Sequence, residues 1–451
     1  MTSKKRFLSA ALVFLLASCN QANISETPSS DNVSLTQPSL DEVEPIYKEI
    51  VKANIEYNKN GQFTSIDEHN DYKDFISKLS SFSAGFTEKA LKDNNENSVC
   101  SPLSIYMSLA MLEHLSTGSA KQELINTLNI DSETISKYSK VLFEKSLKEN
   151  IEGDVVLGRQ LLSNSIWLRD DLTYYEEGLT SLANEFYCDS FSTNFGDSSV
   201  ISKYIKEKTF GLLSPTIDIP YDALAVLVNT VYLQETWDQD MFDGFNYTDN
   251  LIDFKNADNS VTSKKMLSSH FMEGRVVETE SYKTFYVDTI NNYKFHFIVP
   301  NDGYSLSKVF TQENIDFVNK LSDYGAVDVK NKIKYSTKVY FPEFNIKSEF
   351  DVKNILSSSY NVSSLFTFTS FPSITYEPIA ISKIIQECVI DVNKKGVVGG
   401  AYTASFPAPT QPQQDPYTYV DETFIVDKNF GFIVSDSSDV IIFIGIVNNI
   451  Q

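Results

Sequence analysis

Lys394-Lys395-Gly396-Val397-Val398-Gly399-Gly400-Ala401-Tyr402-Thr403-Ala404-Ser405-Phe406 leads directly into Pro407-Ala408-Pro409-Thr410-Gln411-Pro412-Gln413-Gln414-Asp415-Pro416. An apolar run ending at Val392 and another beginning near Phe424 read as strands, yet the residues between them have neither helical nor alternating periodicity. A segment of roughly thirty residues without such a pattern is uncommon inside a compact domain unless it is functional or disordered. Small residues followed by prolines favour an extended, exposed, protease-accessible chain. No charge interrupts Gly396 to Gln414. Were the segment to become a strand, alternation would turn Val397, Gly399, Ala401 and Thr403 toward a core and Val398, Gly400, Tyr402 and Ala404 outward. The inward set is small or apolar throughout.

On either side of this segment, β-branched and aromatic runs predict strands over Leu224 to Leu233, Tyr293 to Val299, Lys338 to Phe344 and Glu387 to Val392, with Phe430 to Val434 and Val440 to Val447 forming a hairpin. Earlier in the chain, helical spacing predicts helices over Leu79 to Lys92, Ser101 to Leu115, Ser119 to Leu128 and Ser132 to Lys148. Ser101-Pro102 supplies an N-cap and a first-turn proline. Helices first and long strands later imply an α+β fold with a mainly antiparallel sheet, without internal repeats or a second core. The globular domain is expected from residue 78 to 451, with an exposed loop over about 394–423. Between Pro45 and Asn58 the spacing of Ile46, Ile50, Val51 and Ile55 allows a short helix, and Asn70 to Lys73 reads as a break.

At the N-terminus, Lys4-Lys5-Arg6 precedes an apolar run from Phe7 to Leu16 that is too short to span a bilayer and ends at Leu16-Ala17-Ser18-Cys19. This reads as an export signal over residues 1–18. The Leu-Ala-Ser-Cys ending is similar to a bacterial lipobox, which implies a lipid on Cys19 and a flexible tether over residues 19–77. Export to a cell envelope or cell surface is expected. The alternative is an ordinary secretory signal with an incidental cysteine and a secreted product. The 451 residues carry 60 acidic against 38 basic side chains, a net charge of −22, and only four arginines. Nucleic acid is therefore a poor partner. The remaining cysteines, Cys100, Cys188 and Cys388, are too scattered for a disulfide framework, and without a CxxC no structural zinc is expected. His69, His114, His270 and His296 lie in no GxSxG, HExxH or Cys-His context, and no phosphate-binding loop is present, so catalysis is not expected.

Over residues 78 to 451 the chain resembles the serpins. Asn97-Ser98-Val99-Cys100-Ser101-Pro102-Leu103-Ser104-Ile105 resembles that family's NxxxSPLSI. Leu227-Val228-Asn229-Thr230-Val231-Tyr232-Leu233-Gln234-Glu235-Thr236-Trp237, closed by Phe242, is similar to LVNAIYFKGxW followed by Phe. Val339-Tyr340-Phe341-Pro342-Glu343-Phe344 resembles the LPKF strand, Phe424-Ile425-Val426-Asp427-Lys428-Asn429-Phe430 the FxADHPF segment, and Ile442-Phe443-Ile444-Gly445 the terminal ILFxG. Each motif alone is weak, but five in order are a strong signal.

The resemblance implies three β-sheets, about nine helices and an exposed reactive-centre loop. It also implies a protease inhibitor, not an enzyme, whose cleaved loop inserts into sheet A and traps a serine or cysteine protease as its acyl-enzyme. No cofactor or metal is implied, and a monomer is expected. The implied hinge comprises Gly396, Val397, Gly399, Gly400, Ala401 and Thr403. The implied shutter comprises Ser101, Ser104, Asn229 and Gln386, with Gln386 where the family usually has His. Trp237, Glu343 and Lys394 fall at the breach, where the usual acid and base are exchanged; this predicts a Glu343–Lys394 charge pair. Counting forward from Gly396 puts the reactive bond at Thr410-Gln411; counting back from Phe430 puts it at Thr418-Tyr419. The forward count is preferred because insertion begins at the hinge. The competing class is a non-inhibitory serpin-like binding protein whose loop is cleaved without trapping.

Overall fold

Alternation in Ala225–Thr236 decides which way the central strand faces. Val226 and Val228 pack in one apolar cluster with Trp167, Phe191, Ile201 and Tyr204, whereas Leu227 and Val231 belong to the main core. The sheet therefore has two covered faces, one under the helix Ser199–Lys208 and the other over the main core. The structure, a computed structural model, describes residues 47–54, 69–152, 155–211, 213, 216–220, 222–238, 244–321, 324–367, 371–397 and 416–450. All of them belong to the unit Pro45–Gln451.

The large sheet is built from β1 (Tyr47–Val51), β2 (Lys148–Glu152), β3 (Val155–Arg169), β4 (Cys188–Thr193), β5 (Ala225–Thr236), β6 (Phe344–Asp351), β7 (Ile381–Asn393) and β8 (Gly396–Val397). Its order is β1-β4-β3-β5-β8-β7-β6, with β2 alongside β3. The β3–β4 and β5–β7 pairs are parallel and the others antiparallel. A six-stranded sheet contains the C-terminal hairpin Phe430–Ser435 and Ile441–Val447 in the predicted antiparallel pairing. A five-stranded sheet pairs Ile333–Phe341 with Thr418–Ile425 in parallel, and Ile252–Lys255 with Val261–Lys264 forms a separate ribbon. With nine α-helices among the described residues, the architecture is the expected α+β fold.

Helix α1 (Asn70–Leu91) starts before residue 78, because Tyr72, Phe75, Ile76 and Leu79 continue the buried stripe through the supposed break at Asn70 to Lys73. Helix α2 (Pro102–Leu115) is capped by the Ser101 hydroxyl, which accepts from the Ser104 N–H, and is buried nearly all round. The short helix expected after Pro45 is instead β1. It lies antiparallel on β4, the Tyr47 ring meets Trp167 and Phe191 at 5.8 and 5.7 Å, and the Ala53 N–H donates to the buried Asp189 carboxylate at 3.0 Å. A five-residue helix could not offset its nucleation cost, whereas the open edge of β4 offers backbone partners. The tether expected over 19–77 therefore does not reach 77. Its earlier part, the export signal and Cys19 lie outside the described residues.

The expected strand Lys338 to Phe344 is two strands, Ile333–Phe341 and β6, divided at Pro342-Glu343. Pro342 cannot continue a ladder through its missing N–H.

Candidate functional site: an opening in the large sheet

Strands β5 and β7 start side by side and then separate. Ala225 to Val228 pair with Ile381 to Ile385, and among the described residues no pairing continues across Asn229 to Gln234 and Gln386 to Asp391. At the other end of this opening the chain turns back after Asn393, and β8 enters between the two strands. Gly396 and Val397 pair with Thr236 and Glu235 on one side and with Asn393 and Val392 on the other. Gly396 is needed for close approach: a Cβ there would lie 1.9 Å from the Glu235 carbonyl oxygen. The Val397 side chain is fully buried in the main core.

The turn into β8 is held by its neighbours. Trp237, itself buried, donates from Nε1 to the Asn393 carbonyl at 2.9 Å and from its backbone N–H to the Lys395 carbonyl at 3.1 Å. Glu343 and Lys394 meet, but not as the expected charge pair. The Glu343 carboxylate accepts the Lys394 backbone N–H at 3.0 Å and the Tyr247 hydroxyl at 2.9 Å, while the Lys394 ammonium donates to Asn246 Oδ1 at 3.1 Å. The tight turn points the lysine side chain past the carboxylate and leaves its N–H facing it.

At the closed end, Gln386 donates from Nε2 to the Ser101 carbonyl at 2.7 Å, and Ser101 caps α2 at Ser104. Asn229, directly opposite Asn164 on β3, donates to Asn164 Oδ1, and Asn164 donates in turn to the Phe186 carbonyl at 2.6 Å. Thus Gln386 and the two serines form one group, while Asn229 turns to an asparagine that sequence reading did not single out. Asn164 and Asn229 become neighbours only through strand pairing. Both Asn229 Oδ1 and Gln386 Oε1 are buried without a hydrogen-bond partner among the described residues.

Beyond Val397 the chain re-enters described structure at Pro416 and pairs from Thr418 onward. The strand after the loop therefore starts before Phe424. The back-counted bond Thr418-Tyr419 lies at the start of it, paired with Ile333 and Lys334. Thr410, Gln411, Gly399, Gly400, Ala401, Thr403 and Phe242 lie outside the described residues.

One further residue escaped sequence reading. Glu235 is only 2% exposed, two positions before Trp237, where the motif carries glycine. Its carboxyl accepts from Thr289 Oγ1 at 3.0 Å and from Asn291 Nδ2 at 2.9 and 3.1 Å. Gly158 on β3 stands opposite it, and a Cβ there would lie 1.8 Å from Asn291 Nδ2. The available signal was the single carboxylate of the strand Ala225–Thr236, set where the motif carries glycine. The histidines are placed apart: His296 is buried against Tyr324, with burial holding its pKa down at about 3, while His114 and His270 contact Ser181 and Ser336.

A sheet with an opening between two central strands, entered by the first residues of a long loop, defines a strand-insertion fold. The sequence matches the serpin (serine protease inhibitor) family over residues 77–450, and the chain belongs to that family. Membership places it among inhibitors and not catalysts. The chain is 24% identical over 374 residues to serine proteinase inhibitor 1 of Variola virus, an alignment covering 80% of this chain and 94% of that protein. It is similar in fold to the thermophilic serpin tengpin in its native state, with a TM-score of 0.68 and 20% identity, covering 89% of this chain and 98% of that one. It is also similar to thyroxine-binding globulin in complex with thyroxine, with a TM-score of 0.64 and 19% identity, covering 82% and 99%.

Proposed function

We propose that this protein is a suicide-substrate inhibitor that traps a serine or cysteine protease by inserting its cleaved loop between β5 and β7. The observation that carries this reading is β8, already seated at the mouth of an unpaired stretch of sheet. Continuing its register would set Gly399 between Leu233 and Ile390, Ala401 between Val231 and Cys388, and Thr403 between Asn229 and Gln386. All of these are inward positions that accept small side chains. Thr403 could then donate its hydroxyl proton to Asn229 Oδ1 or Gln386 Oε1. Insertion also pairs the facing strand edges, at a net gain of about 0.5–1.5 kcal/mol per hydrogen bond. Beyond Thr403 the inserting strand must part the existing Leu227–Ile384 and Val228–Ile385 pairs.

The chemistry belongs to the protease. Its nucleophile bonds to the Thr410 carbonyl carbon, the bond to the Gln411 nitrogen breaks, and the new amine leaves with the nucleophile's proton. Trapping requires insertion to outrun water's attack on that ester or thioester. The test is incubation with a panel of serine and cysteine proteases: an adduct that survives denaturing electrophoresis, with the cut at Thr410-Gln411, is expected. Clipping without an adduct favours the second reading, a binding protein with a cleavable loop. Pro407 and Pro409 favour that alternative, since each lacks an N–H for a central strand.

In the same reading the inhibitor acts as a monomer, exported and tethered to a cell envelope or cell surface through lipidated Cys19. The lipobox-like ending supports this. Cys19→Ala is expected to move the protein from the membrane fraction to the soluble fraction, and unchanged membrane association would overturn the tether.

A further inference from the structure

The insertion of β8 places an aliphatic side chain across from a buried acid. Val397 and Glu235 are directly paired, and the space around the carboxyl is closed by Gly158, Thr289 and Asn291. Asn291 is itself held by Asn150, whose Nδ2 donates to Asn291 Oδ1 at 2.8 Å. The hydrogen bonds from Thr289 and Asn291 favour the ionised carboxyl, but among the described residues no cation is bonded to it, so charging it while β8 stays in place leaves a buried ion without water. Withdrawal of Gly396 and Val397 would open the mouth of the sheet beside it and admit solvent.

We propose that Glu235 is a pH-responsive latch on the loop: uncharged, it lets β8 remain seated between β5 and β7, and charged, it favours release of Gly396 and Val397 from the sheet. Burial raises its pKa from 4.5 to about 7, against the lowering effect of the Asn291 and Thr289 hydrogen bonds. The seated form therefore binds the proton more tightly than a hydrated, released form. Seating is fully favoured below about pH 4.5, weakens by up to about tenfold per pH unit as pH rises toward 7, and levels off above it.

The charged groups around Glu235 act on this balance without replacing it. Lys148 on β2 favours the ionised form and lies 3.6 Å from Asp436, which takes part of its field. Tyr293 is buried nearby and stays protonated, since burial and the Glu235 and Asp436 charges all raise its pKa. Arg159 on β3 is engaged by Glu149 at 2.7 Å. Asp288, next to Thr289, is raised by burial to about 6 and titrates in the same window, so it needs its own control.

Amide hydrogen exchange of the full chain tests the latch, with rates corrected for intrinsic pH dependence and the Phe430–Ser435 strand as internal reference. In wild type, protection of the peptide containing Gly396 and Val397 is expected to fall at least tenfold between pH 5 and pH 8. Glu235→Gln should keep it seated and flat across that range, while Asp288→Asn should retain the wild-type profile. A flat wild-type profile overturns the proposal by itself, even if a variant fails to fold. So does a Glu235→Gln protein that keeps the wild-type pH dependence, or an Asp288→Asn protein that abolishes it. Any consequence for trapping rests on the inhibitor reading above, but exchange is read without a protease, so the latch and the trap can fail separately.

Discussion

The two ends of the opening between β5 and β7 are built in opposite ways. At the mouth, backbone pairing is complete on both sides of Gly396 and Val397, and the unusual feature is a side chain, the buried Glu235. At the closed end it is the side-chain amides that are incomplete: Asn229 and Gln386 each hold a donor bond and leave a buried oxygen unpaired. An unpaired acceptor costs about 1–3 kcal/mol and is relieved by whatever brings a donor. The closed end thus lacks donors that a further strand would bring, while at the mouth a strand is already paired beside a buried acid.

The largest effect that could break this comparison is expected from Val397→Arg. Burying an unpaired guanidinium in the main core costs several kcal/mol, so cleavage should continue while the covalent adduct is lost, as read on denaturing gels. An adduct yield equal to wild type would remove insertion from the mechanism. Next comes Gly396→Val, whose Cβ would overlap the Glu235 carbonyl. Expulsion of β8 should cost about 1–3 kcal/mol of its docking and red-shift Trp237 emission as the turn leaves the indole. Unchanged fluorescence and exchange would show that the mouth tolerates a side chain there.

Asn229→Ala sharpens the view of the closed end. It removes the bond to Asn164 and should destabilise the protein by about 1–3 kcal/mol, with polymers or loop-inserted forms appearing on mild heating. Simple two-state unfolding without such products would argue against a closed end that accepts a further strand. The smallest effect belongs to the exposed turn. Because Glu343 meets the Lys394 backbone and not its ammonium, exchanging the charges in a Lys394→Glu, Glu343→Lys cycle should give a coupling below about 0.5 kcal/mol by thermal denaturation. A coupling well above that would restore the charge pair.

Much of this was legible in the chain. The α2 cap, the C-terminal hairpin and the strands bounding the loop follow from local periodicity and turn chemistry, because each concerns residues close in sequence. The start of α1 was legible too, in the spacing of Tyr72, Phe75, Ile76 and Leu79, but polar residues at Asn70 to Lys73 masked it. The strand at Tyr47–Val51 was not. Its conformation is decided by the open edge of β4, nearly 140 residues further on. The same holds for Asn164 beside Asn229 and for Glu235 beneath Asn291.

Residue order alone indicated most element types, the small inward-facing set expected of the segment after Gly396 and the family motifs, since these depend on covalent neighbours and periods of two or 3.6 residues. Only the folded chain decided where β5 and β7 part, that Val397 is already seated between them, and which buried oxygens are left without donors. Those outcomes depend on register and desolvation across strands distant in sequence, and neither is encoded at any single position.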